Sequence, residues 1–90
     1  TTLGTVDNSG LRSVVIYLNP AKEYVILGNP GNIDLDKLEI YTLQGRLVQT
    51  LNLVNMGTEK QIEVSEFAAG TYLFRIYSEN DSITKFVVKE

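Results

Sequence analysis

The chain has 90 residues, with no Cys, His or Trp, and its eight Lys plus Arg against eleven Asp plus Glu leave a net charge of -3. Without imidazole or thiol, a Ser-His-Asp triad, a Cys nucleophile, a zinc finger and an iron–sulfur site are excluded, and the acidic balance argues against a nucleic-acid partner. One domain is the most this length permits, with a modest core, because so short a chain buries only about 60 % of its unfolded surface.

Taken in order, residues 1–12 open the chain with Thr, Gly, Asn and Ser and carry neither a basic nor an apolar leader region. They read as a linker from an upstream part of a larger protein, with the folded domain over 13–90. No apolar stretch approaches the roughly 18 residues that a membrane span needs, so no transmembrane segment is expected. Nine Val, seven Ile, eight Thr, five Tyr and three Phe stand against only three Ala. β-Branched and aromatic side chains lose rotamer freedom in helices and pack well on a pleated surface, so the chain reads as all-β.

Seven short runs are expected as strands: Ser13 to Tyr17, Tyr24 to Leu27, Lys37 to Leu43, Arg46 to Leu51, Lys60 to Val64, Thr71 to Tyr77 and Ser82 to Val88. Their spacing, about 8–12 residues, is that of a sandwich rather than of βαβ units. The fold class is therefore an immunoglobulin-like antiparallel β-sandwich of Greek-key type. Period-2 alternation places Leu38 and Ile40, Ile62 and Val64, and Tyr72, Phe74 and Ile76 inward. The Val14-Val15-Ile16 run breaks this alternation and suggests a strand covered on both sides.

The turns carry their own signals. Asn19-Pro20 forces a bend, because Pro20 fixes its φ and the residue before it leaves the helical region. Asn29-Pro30-Gly31-Asn32 is a second strong turn. Gln44-Gly45 reads as a two-residue hairpin loop, with Gly45 supplying a positive φ. Ser65 to Gly70 forms a short corner under which Phe67 is expected to tuck. Beyond it, Gly70-Thr71-Tyr72 fits a tyrosine near a strand start whose hydroxyl ties back to the corner.

Few residues could carry chemistry. Asp34 and Asp36, with Asn29 and Asn32, offer oxygen ligands for calcium, but the EF-hand's third acid and distal Glu are missing and a solvated loop is the plainer reading. No pair of acids is nominated for glycoside hydrolysis. Tyr17, Tyr24, Tyr41, Tyr72 and Tyr77 could form a sugar-stacking platform, although without Trp they are more simply core and core-edge residues. Neither a metal, a cofactor nor a catalytic residue is assigned. Near the end, Lys85 and Lys89 lie four apart and so share one face of a strand. They either protect a sheet edge or display a recognition patch. Asn80-Asp81-Ser82 matches the N-glycosylation acceptor pattern.

Four segments, in order, resemble a known family: the C-terminal sorting domain of the type IX secretion system of Bacteroidetes. Ile16-Tyr17-Leu18-Asn19-Pro20-Ala21 resembles its opening Y-P-N-P-A motif, with Leu18 in place of the usual Pro. Leu38-Glu39-Ile40-Tyr41-Thr42-Leu43-Gln44-Gly45-Arg46-Leu47-Val48 is similar to its I-Y-x-x-x-G hairpin. Val64-Ser65-Glu66-Phe67-Ala68-Ala69-Gly70-Thr71-Tyr72 resembles its V-S-x-L-x-x-G-x-Y corner. Thr84-Lys85-Phe86-Val87-Val88-Lys89 resembles its closing strand, although Glu90 stands last where many members end on a basic residue.

The resemblance covers about Val15 to Glu90 and implies a transport address rather than an enzyme. It implies a domain that follows a cargo in the same chain and is recognised in the periplasm by the type IX machinery. The cargo crosses the outer membrane to be secreted or held at the cell surface, and a sortase-like cysteine protease removes the domain. By position, Gly70, Tyr72, Lys85, Phe86 and Lys89 are the implied translocon-recognition residues, with Asn19, Pro20, Gly45 and Phe67 as structural motif residues. Cleavage is expected between about Thr1 and Leu11. Asp81-Ser82-Ile83 also resembles the O-glycosylation acceptor of these bacteria. The competing reading of the same fold is an immunoglobulin- or fibronectin-like module that binds carbohydrate or protein.

Overall fold

A computed structural model of the chain describes residues 13–18, 20–79 and 81–90. Among them seven strands form: β1 (Val15–Tyr17), β2 (Tyr24–Gly28), β3 (Leu35–Thr42), β4 (Leu47–Asn52), β5 (Glu59–Glu63), β6 (Gly70–Ser78) and β7 (Ser82–Lys89). They build two sheets, ordered β1-β2-β5 and β4-β3-β6-β7, and every pairing within them is antiparallel. The chain crosses between the sheets from β2 to β3, from β4 to β5 and from β5 to β6, as a sandwich with Greek-key connections does.

One core fills the space between the sheets. Val25, Leu27 and Ile62 come from the three-stranded sheet, and Leu38, Ile40, Phe74, Ile76 and Val87 from the four-stranded one. Their even spacing along each strand explains the one-sided burial, because successive residues point to opposite faces. Gln61 and Glu63 are exposed on either side of buried Ile62, and Arg75 is exposed between buried Phe74 and Ile76. The described strands therefore realise the expected all-β sandwich.

Two local expectations are corrected. Val14 is fully buried, but Val15 and Tyr17 are 43 % and 42 % exposed, so the first strand is not covered on both sides. β1 is an edge strand with β2 as its sheet neighbour, and only Val14 and half-buried Ile16 turn toward the core. The apolar run thus reflects strand propensity on a wet face. The hairpin between β3 and β4 is not a two-residue loop. Gly45 N donates to Thr42 O at 2.9 Å and Thr42 N donates to Arg46 O at 2.9 Å, leaving Leu43, Gln44 and Gly45 in the loop. Gly45 takes φ +91°, the left-handed position that closes a three-residue hairpin behind a turn.

Asn29 is the one polar side chain in the core of the described residues, 1 % exposed. Its Nδ2 donates to Ile33 O at 2.9 Å and to Gly57 O at 3.4 Å, and its Oδ1 accepts from Ile33 N at 3.2 Å. It ties the β2–β3 loop to the β4–β5 loop, and the buried amide of Asn29 thereby finds partners for both its nitrogen and its oxygen. At the far end of the sandwich, Leu18 holds φ +71°, uncommon for a bulky residue, just before Asn19, which lies outside the described residues.

Candidate functional site

The corner between β5 and β6 is assembled from local contacts. Phe67 N donates to Val64 O at 3.0 Å. Gly70 then adopts φ +150°, which side-chain-bearing residues rarely do, and this reverses the chain into β6. Two residues on, the Tyr72 hydroxyl donates to Ala68 O at 2.7 Å. The ring of half-buried Phe67 lies 5.1 Å from that of Tyr72 at an interplanar angle of 40°. Tyr72 is only 8 % exposed, so its influence on any partner passes through the shape of the corner.

β7 carries the other three expected recognition residues. Lys85 stands opposite Phe74 and Lys89 opposite Gly70 in the β6–β7 register. Both lysines are half-buried and share the strand face of buried Val87. On the opposite face, Phe86 is 62 % exposed and Val88 41 % exposed. The lysines thus lie on the core side of an edge strand, where long stems follow apolar surface and ammonium groups reach water, whereas Phe86 projects outward. The five residues accordingly do not form one surface. Gly70 and Lys89 are register neighbours, Lys85 lies further along β7, Phe86 is on the other face, and Tyr72 is inside.

The end of β7 is anchored from the beginning of the described chain. Ala21 N donates to Val88 O at 2.7 Å, Glu90 N donates to Ala21 O at 2.8 Å, and Ala21 bridges Lys89 in parallel orientation. Exposed Pro20 immediately precedes this contact. Lys89 Nζ also donates to Glu90 O at 3.0 Å, and Lys22 Nζ lies 4.0 Å from Glu90 Oε1.

A polar cluster on the outer face of the four-stranded sheet is absent from the sequence reading. Glu39 Oε1 accepts hydrogen bonds from the hydroxyls of Tyr41 at 2.5 Å and Tyr77 at 2.9 Å. Lys37 Nζ lies 3.4 Å from Glu39 Oε2 and 5.0 Å from the Tyr77 ring centre, and the Arg75 guanidinium lies 5.7 Å from that centre. The Tyr41 hydroxyl, then that of Tyr77 and the charge of Lys37, hold the Glu39 carboxyl below its ordinary range against a smaller opposing effect of burial. The hydrogen bond to Glu39, with burial and the carboxylate charge behind it, pushes the Tyr41 phenol up to about 12. Period 2 puts Lys37, Glu39 and Tyr41 on one face, but their meeting with Tyr77 depends on the β3–β6 register.

A depressed carboxyl stabilises the fold above its unfolded pKa and loses that contribution as pH falls through the folded value. Glu39→Gln should therefore flatten the acid limb of stability against pH, measured by urea denaturation between neutral and acidic pH. In the same variant one phenol should return from about 12 toward 10.0 when tyrosinate absorbance is titrated. Unchanged titration curves would contradict the cluster.

The five tyrosines do not form one platform. Tyr17 and Tyr24 belong to the three-stranded sheet, Tyr41 and Tyr77 to the four-stranded one, and Tyr72 is buried. Exposed Asp34 and Asp36 line a hollow of about 430 Å³ with Asn32, Asn55 and Met56. Among the described residues no three acidic side chains converge there or elsewhere as metal ligands. No helix among them is long and apolar enough to cross a membrane. Asn80, of the glycosylation pattern, lies outside the described residues.

Comparison with curated proteins and with solved structures found no match to the chain. Comparison with family profiles did: that of the secretion system C-terminal sorting domain matches residues 15–90. The matched stretch takes in all seven strands, the corner at Tyr72 and the anchored end of β7. The family so described is one of sorting domains, which is not a known enzyme class. By this match over nearly its whole length, the chain belongs to the type IX secretion C-terminal sorting domain family.

Proposed function

We propose that residues 13–90 are the export address of a cargo that precedes them in the same polypeptide. The domain is read in the periplasm by the type IX secretion machinery and guides the cargo through the outer membrane to the cell surface or beyond. A sortase-like cysteine protease then removes it by cutting between about Thr1 and Leu11, outside the described residues. The observation that carries this reading is the family match over residues 15–90, which takes in all seven strands.

Recognition uses both faces of the β7 edge. The ammonium groups of Lys85 and Lys89, on the rim of β7, meet an acidic groove of a translocon component, where complementary charge sets selectivity and encounter rate. Phe86, 62 % exposed on the other face, adds an apolar anchor. Gly70 leaves the start of β6 open beside Lys89, and Tyr72 fixes the corner from which that strand emerges.

The test fuses the 90-residue chain behind a periplasmic reporter in a host with this pathway. Export that disappears in a translocon-deficient strain supports the reading, and absence of export from the intact host rejects it. Lys85→Gln combined with Lys89→Gln, which removes the charges and keeps most of each stem, should abolish export while leaving the melting temperature nearly unchanged. Persisting export of that variant would reject the lysine patch while sparing the address function.

A further inference from the structure

β1 has less backbone pairing than any other strand of the sandwich. It is three residues long, lies at a sheet edge and pairs with β2 alone, Val15 with Gly28, Ile16 with Leu27 and Tyr17 with Ile26. Fully buried Val14 and half-buried Ile16 are its hold on the core. Beyond it the chain is fixed again at Ala21, by the hydrogen bonds to Val88 O and from Glu90 N.

A side-chain tie adds to this pairing and spans the sheet. The Tyr17 hydroxyl donates to Glu59 Oε2 at 2.5 Å, although Glu59 belongs to β5 and β2 lies between the two strands. The β2 residue set between Val15 and Glu59 by register is Gly28. A Cβ there would lie 3.4 Å from Tyr17 Cε1 and 3.0 Å from Val15 Cγ2, so a longer side chain would compete with the ring for its place. Glycine inside a strand weakens it and marks a close approach; here the approaching group is the Tyr17 ring. The hydrogen bond to Glu59 is also the main cause that pushes the Tyr17 phenol above its ordinary range.

We infer that the segment from Val14 to Tyr17 is a strap that opens and closes while the rest of the sandwich stays folded. Tyr17, seated over Gly28 and tied to Glu59, is its latch. Opening withdraws only Val14 and Ile16 from the core and leaves the other buried residues between the sheets, so it costs less than global unfolding. It frees the chain as far as the Ala21 bridge and bares the edge of β2. The latch contacts exist in the closed form alone, so their strength sets how often the strap opens. The strap thereby controls whether a protease reaches the bonds between Val14 and Leu18. Only its use in removal of the domain from a cargo rests on the proposed function.

Thermolysin, which cuts before apolar residues, is applied to the folded 90-residue chain and the products are mapped by mass. Native-state hydrogen exchange in rising urea follows the β1 amides. Cuts between Val14 and Leu18 should precede cuts in the core strands, and the β1 amides should exchange through an opening with little urea dependence. Where opening is fast relative to cleavage, the rate follows the open population. Tyr17→Phe keeps the ring and loses the hydrogen bond, and should speed these cuts about three- to tenfold. Gly28→Val fills the slot and should act likewise. Adding Tyr17→Phe to Gly28→Val should then change nothing further, as for groups in one shared interaction. β1 amides with the same urea dependence as that of Phe74 overturn the strap, because β1 would then open only with the whole domain. An unchanged cutting rate in Tyr17→Phe overturns the latch, as does its full effect in the Gly28→Val background. None of these readouts involves secretion, so they stand or fall apart from the export reading.

Discussion

Phe74→Ala should lower the free energy of unfolding by about 3–5 kcal/mol, the range for truncating a fully buried aromatic side chain. Phe74 is 0 % exposed and sits mid-way along β6, flanked by β3 and β7. In register it lies between Ile40 and Lys85, while the residues of the opposite sheet close the core over it. The cavity cannot collapse easily, because its walls are paired strands rather than a mobile loop. Domains of this size have total stabilities of about 5–15 kcal/mol, so the variant should be marginal at physiological temperature. Urea denaturation measures the loss, and a change below about 1 kcal/mol would show that Phe74 does not anchor this core.

Tyr72 separates into two contributions that different substitutions resolve. Tyr72→Phe removes only the hydrogen bond to Ala68 O. Its acceptor lies in an exposed corner where water can replace the hydroxyl, so the cost should be about 1 kcal/mol. Tyr72→Ala also removes the ring that packs against Phe67 and opens the edge of the core, for a total of about 3–4 kcal/mol. Thermal unfolding should display both, at about 4–8 °C per kcal/mol for a domain of this length. If both variants lose the same amount, the ring contributes nothing and the corner is held by its hydroxyl alone.

Strand positions were legible because most strands have one buried face. The alternation in Thr71 to Tyr77 and in Lys60 to Val64 can be produced only by a half-buried strand, and burial follows it residue by residue. Val14-Val15-Ile16 misled because an edge strand tolerates β-branched residues on its solvent side as readily as on its core side. Lys85-Phe86-Val87-Val88-Lys89 was ambiguous for a related reason. Both parities contain apolar residues, Val87 on one and Phe86 with Val88 on the other, so spacing puts the lysines on a common face without saying which face is buried. The Glu39 cluster was out of reach for another reason. It joins residues 38 positions apart in the chain, and only the β3–β6 register brings Tyr77 to Glu39.

The bridge from Ala21 to the end of β7 has a mechanical consequence. The two segments run parallel, so tension applied through the upstream chain and opposed at the C-terminal end slides one past the other. The hydrogen bonds to Val88 O and from Glu90 N are then loaded together in shear, not opened one after the other like a zip. A folded domain drawn along by its upstream chain is loaded first at β1, with only three paired residues, and this clasp is the next point of resistance, holding the end of β7 after β1 has yielded.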